Sequence, residues 1–265
     1  MVITIAALQI PLGSPITLED QLHLFRRRPD FVCLPEYFSV RPGDHSHLDG
    51  AVRVERLHHE LAKLSRDLGC VVIGGTLAEL VDNGYENLST IYDRGERVGA
   101  YQKVNPLGRE EERGILPGRE YRVFDVAGVR VGILICADVL NPDSFTAMHR
   151  EGAEVIFAPT ISPFLVNDTI TEKDRRDIEI FMAGAQKAQA YVVKTCGIGT
   201  IFGHKLQGRS GVFAPWGILA RVPPDDEQRK LIITHNLNID EIREFKQQMD
   251  SMAPANHLAP AGKSL

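Results

Sequence analysis

Short apolar runs rich in valine and isoleucine recur along almost the whole chain, and amphipathic stretches separate them. Runs of this kind, bounded by glycine, proline, asparagine or aspartate, are typical of buried β-strands. The predicted strands span residues 4–9, 31–34, 71–76, 88–92, 98–102, 121–126, 129–135, 155–159, 191–195, 211–214 and 231–236. The predicted helices span residues 18–28, 51–68, 142–151, 174–189 and 239–249. The alternation of strands and helices predicts an α/β fold.

Two tight-turn sequences bear on the kind of sheet. Asp93-Arg94-Gly95 separates two predicted strands, and Ala127-Gly128 separates two others. Such turns join antiparallel strands, whereas helical crossovers join parallel ones. The strands must therefore form mixed sheets, and two sheets packed face to face with helices outside accommodate this order best.

The chain reads as one domain with a short tail. No low-complexity segment or short repeat interrupts residues 1–252, which predicts a single continuous domain. The remaining segment, 253–265, contains Pro254, Pro260 and Gly262 and cannot form a core of its own. It is predicted either to be disordered or to lie across a partner subunit.

Charge and hydropathy argue against several classes of partner. The formal net charge of the 265 residues is -5, and the basic residues form no extended field that would hold a nucleic acid. No apolar run approaches the roughly 18 to 20 residues that cross a bilayer, and no basic region precedes the apolar N-terminal stretch. We therefore expect a cytoplasmic protein with neither a nucleic acid nor a membrane as partner.

Cysteine and histidine spacings give no metal site. The four cysteines are Cys33, Cys70, Cys136 and Cys196. They lie far apart with no C-x-x-C pair, which predicts reduced thiols and neither a zinc ribbon nor a disulfide framework. The histidine pairs His45-x-His47 and His58-His59 lack further ligands at zinc spacing, so we interpret them as exposed and expect no metal or organic cofactor.

Three side chains could carry chemistry. Cys136 follows an apolar run and precedes a turn into a predicted helix, which projects a nucleophile into a pocket while the Ala137 N–H faces an oxyanion. Lys103 follows a strand, and a lysine beside a thiol favours the thiolate. Glu36 follows another apolar strand, where burial raises a carboxyl pKa and suits a general base. Singly, each also fits a structural thiol or a solvated charge.

Three strings in order carry a family resemblance. Leu34-Pro35-Glu36, Tyr101-x-Lys103-x-x-Pro106 and Gly132-Ile133-Leu134-Ile135-Cys136-x-Asp138 resemble the three signature blocks of the carbon-nitrogen hydrolase (nitrilase) superfamily. The similarity extends over nearly the whole chain. It implies a four-layer α-β-β-α sandwich with two mixed sheets, and a catalytic triad of Glu36, Lys103 and Cys136.

The family also carries a second glutamate between the lysine and a Pro-Gly pair. This chain has glutamate at positions 110, 111 and 112. Glu111 matches the family spacing best, and Glu112 is the alternative.

The resemblance implies hydrolysis of a non-peptide C–N bond in a small amide or carbamoyl compound. A thioester would form on Cys136, with the oxyanion held by Lys103 and the Ala137 N–H. The family habit also implies a homodimer or higher homo-oligomer. Two other functions stay open: an amide-group transferase or ammonia-supplying subunit of a synthetase, and a binding protein with a lapsed active site. Cys196 is expected either to pack in the core or to line the pocket.

Overall fold

The computed structural model of the chain describes residues 1–252. The prediction made for the tail, 253–265, lies outside these residues. The strands are β1 (Val2–Pro11), β2 (Phe31–Cys33), β3 (Val71–Ile73), β4 (Leu77–Val81), β5 (Gly84–Asp93), β6 (Glu96–Gln102), β7 (Ile115–Leu116), β8 (Val123–Val126), β9 (Val129–Ile133), β10 (Val155–Ile161), β11 (Tyr191–Ile201), β12 (His204–Leu206), β13 (Gly211–Ala214), β14 (Gly217–Arg221) and β15 (Leu231–Asn238).

The helices are α1 (Leu18–Arg27), α2 (His47–Ala51), α3 (Val54–Leu68), α4 (Gly108–Glu111), α5 (Pro142–Arg150), α6 (Ile170–Arg176), α7 (Ala183–Ala188) and α8 (Ile239–Met252). A π-helical segment, Asp177–Met182, joins α6 to α7, and short 3-10 turns span Cys136–Leu140 and Pro224–Asp226. The helix predicted over 51–68 begins at Val54 instead, after the separate short helix α2. The helix predicted over 174–189 is interrupted by the π-helical segment and begins earlier, at Ile170. In this second case the π-helical segment separates two α-helical parts.

The strands form a mixed, curled sheet, as the hairpin signals predicted. Its main path runs β4-β5-β3-β2-β1-β11-β10-β9-β8. Strand β1 is parallel to both β2 and β11, whereas β8 and β9 form an antiparallel hairpin. The predicted separation into two sheets is not found in the hydrogen bonding. Ile10 pairs with Gly197 and Pro11 with Ile198, so β1 links the two halves.

The two halves of the sheet share one core. The Phe31 ring from β2 stacks on the Phe157 ring from β10, with centroids 5.7 Å apart. A second cluster lies under α1 and α3, and a third under α5 and α7. Burial of these apolar faces, at about 25 cal/mol per Å², supplies the main stabilising free energy of the fold.

Local signals place the helices that frame the site. Leu57, Leu61 and Leu64 are buried on one face of α3, which ends at Gly69 in the left-handed conformation. Asn141 caps α5 by accepting a hydrogen bond from the Asp143 N–H at 3.0 Å, and Pro142 follows at the first helical position. This cap fixes where the chain turns after Cys136.

Across residues 1–252, no helix combines the length and the apolar character that a bilayer crossing requires.

Candidate active site

Cys136 occupies a strained turn that follows β9 after the two buried residues Leu134 and Ile135. Its backbone φ is +45°, in the left-handed region that costs a non-glycine residue roughly 1–2 kcal/mol. The thiol Sγ lies 3.4 Å from the Ile161 carbonyl oxygen, which accepts its hydrogen bond. Ala137 follows at the start of the 3-10 turn and is buried. The sharp turn predicted for Cys136 is therefore present.

Asp138 ties this turn to the segment that carries the lysine. Its carboxylate accepts hydrogen bonds from the Ile135 N–H at 2.9 Å, the Tyr101 hydroxyl at 2.8 Å and the Asn105 N–H at 2.8 Å. Tyr101 and Asn105 stand two residues either side of Lys103. Because all of these bonds are buried or half-buried, Asp138 fixes the position of Cys136 relative to Lys103. The sequence showed Asp138 within a motif and did not predict this role.

Lys103 lies between two carboxylates in the interior. Its side chain is 1% exposed, and Nζ donates to Glu36 Oε1 at 2.7 Å and to Glu110 Oε1 and Oε2 at 2.8 and 2.6 Å. Burial disfavours the charged amine, but the negative charges of the neighbouring carboxylates Glu36 and Glu110 outweigh it and raise the pKa of Lys103. The ammonium is therefore charged at neutral pH.

Glu36 is fully buried beside Lys103 and Asn87. Oε1 accepts hydrogen bonds from Lys103 and from Asn87 Nδ2 at 3.1 Å, whereas Oε2 has no hydrogen-bond partner within residues 1–252. Burial raises the pKa of Glu36 to about 7, against the opposing effect of Lys103 and a contact with Cys136. A carboxylate that titrates near neutral pH suits a general base.

The resting thiol of Cys136 is protonated. Burial and the charge of Glu36 raise its pKa well above the usual value, and Lys103 only partly offsets them. A base is therefore needed to form the thiolate, and Glu36, which contacts Cys136, is the candidate for that role.

The structure corrects the assignment of the second glutamate. Glu110, not Glu111, contacts Lys103, while the side chains of Glu111 and Glu112 are exposed. Glu110 is the third residue of the turn that begins after Leu107, and its Oε2 accepts the Leu107 N–H at 2.8 Å. A helix advances about 100° per residue, so the next glutamate points to solvent. Leu107 is not a residue type that marks a helix N-terminus, so no capping signal in the sequence singled out Glu110.

Glu110 is held by more than the lysine. Oε1 also accepts a hydrogen bond from the Tyr37 hydroxyl at 2.8 Å. Burial alone would raise the pKa of Glu110, but Lys103 and these donors lower it below its usual range. Glu110 is therefore a carboxylate at neutral pH, whose charge keeps Lys103 protonated and fixed.

We expect Glu110→Gln to lower kcat/KM about 100-fold toward the best amide substrate, because it removes the negative charge that orients Lys103. The matched variant Glu111→Gln changes an exposed neighbour and should stay within about 3-fold of the parent. Steady-state kinetics on both purified variants check this. A large loss in Glu111→Gln with none in Glu110→Gln would restore the assignment made from sequence.

Neither His58 nor His47 makes a hydrogen bond to Glu36, Lys103, Glu110 or Cys136. His58 contacts the Tyr92 hydroxyl and Glu79, as a helix-surface residue. The interpretation of His47 as exposed was wrong, because its ring is buried among the rings of Tyr37, Tyr85 and Phe202. Burial lowers its pKa to about 4, so it is neutral at pH 7.

A cavity of about 260 Å³ opens beside Cys136. Its lining includes Ala137, Thr160 and Ile161 near the thiol. Cys196 is fully buried and is not among the described residues that line this cavity, which places it in the core. A second cavity, of about 450 Å³ between α1 and α3, contains none of the site residues.

The fold and this site can be compared with known proteins. Residues 19–247 match the family model described as carbon-nitrogen hydrolase. The chain therefore belongs to the carbon-nitrogen hydrolase family, and the resemblance drawn from the three blocks is confirmed. Membership makes the protein an enzyme that hydrolyses carbon–nitrogen bonds.

Individual relatives are amidases. The chain is 22% identical over 244 residues to a deaminated glutathione amidase of Synechocystis sp., covering 86% of each protein. It is 29% identical over 191 residues to an N-carbamoylputrescine amidase of Solanum lycopersicum, covering 67% of this chain and 63% of that one. A carbon-nitrogen hydrolase structure from Helicobacter pylori G27 superposes with a TM-score of 0.81 at 18% identity, covering 94% of both chains. This structural similarity shows the fold.

Proposed function

We propose that the protein hydrolyses a small amide or carbamoyl compound through a thioester on Cys136. The observation that carries the proposal is the buried cluster in which Lys103 bridges Glu36 and Glu110, next to a thiol that lines a cavity. The amidase relatives support amide substrates over other C–N compounds.

The first half of the proposed reaction forms the thioester. Glu36 takes the proton of Cys136, and the thiolate attacks the amide carbonyl carbon. The negative oxygen of the tetrahedral intermediate accepts hydrogen bonds from Lys103 and the Ala137 N–H. Glu36 returns the proton to the leaving nitrogen as the C–N bond breaks, and ammonia or an amine departs.

The second half restores the enzyme. Glu36 takes a proton from water, the hydroxide attacks the thioester carbonyl, and the proton returns to sulfur as the acid leaves. These steps use the chain's own residues.

We also propose the four-layer α-β-β-α arrangement. One hydrophobic cluster lies under α1 and α3 and another under α5 and α7, and the two flank the shared core against which Cys136 packs.

Two alternative functions differ from hydrolysis, one in the molecule that accepts the acyl group or ammonia and the other in having no catalytic activity. A transferase or ammonia-supplying subunit would use the same thioester and pass the acyl group or ammonia elsewhere. A lapsed binding protein would have lost one reacting side chain, but each position of the triad keeps a competent residue. The intact triad supports the hydrolase.

The test is turnover of a panel of primary amides and N-carbamoyl compounds, read as release of ammonia or amine. Acid-quenched samples are digested and analysed by mass spectrometry, and we expect an acyl adduct on the peptide containing Cys136. Cys196→Ala, at a buried thiol in the core, is the control that should keep both signals. Absence of product and of adduct across the whole panel would contradict the proposal.

A further inference from the structure

The cavity beside Cys136 has a strongly cationic wall. Lys173, Arg176, Lys194 and Arg209 line it, together with one carboxylate, Asp177. Both lysines and Arg209 are more than nine-tenths buried, at 8%, 5% and 3% exposed. Charged side chains are rarely buried without counter-charges, so the balance of charge around them decides what the cavity can bind.

The cations outnumber the carboxylates in this cluster. Asp177 accepts from Lys194 at 2.9 Å and from Arg209 at 2.8 Å. Glu227 binds Lys173 at 2.6 Å and Arg209 at 3.0 Å. The cluster as a whole joins five cations, Lys173, Arg176, Lys194, Arg209 and Arg221, to four carboxylates, Asp168, Asp174, Asp177 and Glu227. One positive charge is left over.

Lys194 is a buried cation with unused hydrogen-bonding capacity. An ammonium group has three donors, and Asp177 is the single acceptor that residues 1–252 offer to Lys194 Nζ. The ammonium also lies 4.5 Å from the centre of the Phe181 ring. Asp177 is shared with two arginines, so its charge is already neutralised without Lys194.

The backbone that forms this wall is irregular. The π-helical segment Asp177–Met182 contributes Asp177, Ile180 and Phe181 to the cavity lining. Such segments are rare and frequently occur at functional sites. The remaining lining is largely apolar, with Leu107, Val139 and Leu165.

We propose that the substrate is an amide or carbamoyl compound that carries a carboxylate, and that Lys194 binds this carboxylate with support from Lys173. The inference rests on the proposed function, because it assumes that the reacting carbonyl lies at Cys136. A single carboxylate matches the surplus of one positive charge and accepts the unused donors of Lys194. A volume of about 260 Å³ limits the substrate to a small molecule.

The opposite charge is disfavoured for the same reason. A substrate ending in an ammonium group would add to a cluster that is already positive, and a neutral alkyl end would leave buried donors without acceptors. The cavity therefore discriminates by the charge of the group remote from the reacting carbonyl.

The test compares three amides of equal chain length: glutaramate, pentanamide and 5-aminopentanamide, each with its homologues one carbon shorter and longer. We expect kcat/KM to favour the carboxylate compound at least about 10-fold over the neutral one. Lys194→Met should lower kcat/KM for the carboxylate substrate about 10- to 100-fold, mainly through KM, and change pentanamide less than about 3-fold. Lys194→Arg should recover part of the loss.

Controls keep the test independent of folding. Lys194→Met leaves Asp177 with Arg209 and Arg221, so no buried carboxylate loses its last cation. Lys187→Met, at an exposed lysine of α7, should match the parent. Should Lys194→Met fail to fold, Lys173→Met carries the test, because Glu227 keeps Arg209.

The outcomes separate this inference from the proposed function. Equal turnover of glutaramate and pentanamide at every length, or a preference for 5-aminopentanamide, would overturn the carboxylate site while amide hydrolysis stands. If no compound is turned over, the proposal of amide hydrolysis is wrong. The carboxylate site is then tested by calorimetric titration of glutaramate into the Cys136→Ala protein. Binding that Lys194→Met weakens supports the carboxylate site, and absence of binding overturns it.

Discussion

Cys136→Ala should lower kcat/KM by at least about 10⁴-fold toward any amide that the parent enzyme hydrolyses, because the proposed thioester cannot form without the Cys136 thiol. The thiol makes one side-chain hydrogen bond within residues 1–252, to the Ile161 carbonyl at 3.4 Å. Alanine also tolerates the left-handed backbone no worse than cysteine does. The unfolding free energy should therefore change by no more than about 1 kcal/mol.

Kinetics and urea unfolding of the same preparation check both halves of this expectation. Cys136→Ser is the second variant, and we expect it to be nearly as inactive. Cys196→Ala is the matched control, since that thiol is buried away from the cavity. If Cys136→Ala turned over substrate as the parent does, a thioester on Cys136 would be the wrong intermediate and the reaction would have to proceed without this thiol.

The spatial grouping of Glu36, Lys103 and Cys136 could be predicted because each residue follows a strand. Strand ends meet at one edge of a sheet. Glu110 could not be placed in the same way. It lies in the four-residue helix Gly108–Glu111, where a shift of one residue turns the side chain from Lys103 to solvent. Periodicity does not fix the register of so short a helix.

The cationic cluster could not be predicted from the sequence for a different reason. Lys173, Lys194 and Arg209 stand on α6, on β11 and in the segment before β13, and each looks like an ordinary charge in sequence. Only tertiary packing brings them to one cavity wall with Asp177 and Glu227. The sheet shows the same limit, since the pairing of β1 with β11 at Ile10 and Pro11 joins halves that strand patterns suggested were separate.

The second large effect concerns Lys103, whose loss should destabilise the fold itself. Lys103→Met keeps the length of the side chain but leaves Glu36 and Glu110 buried without their shared cation. Removing one partner of a buried ion pair costs about 3–5 kcal/mol. We expect a loss of this size in the unfolding free energy at pH 8, together with a loss of activity of at least about 10³-fold.

The pH dependence of that loss has a definite sign. In the parent, the pKa of Lys103 is raised, so its stabilising contribution is complete below the ordinary lysine pKa and is lost only as pH rises through the folded value. The pKa of Glu110 is lowered by Lys103, so its contribution is present above the ordinary glutamate pKa and is lost as pH falls through the folded value. The Lys103→Met protein is more stable when Glu36 and Glu110 are protonated, because no cation then has to balance two buried carboxylates. The difference in unfolding free energy between variant and parent should therefore be largest at pH 8 and should decrease toward pH 5.

Urea unfolding at pH 5, 6, 7 and 8 measures this gap. Lys63→Met, at a lysine that is 62% exposed and paired with Asp67 on α3, is the control and should stay within about 0.5 kcal/mol of the parent. Adding Glu110→Gln to Lys103→Met removes one of the two stranded charges and should recover stability at pH 8. A Lys103→Met protein as stable as the parent at pH 8, or one whose deficit grew as pH fell, would show that the two carboxylates do not depend on this lysine for their charge.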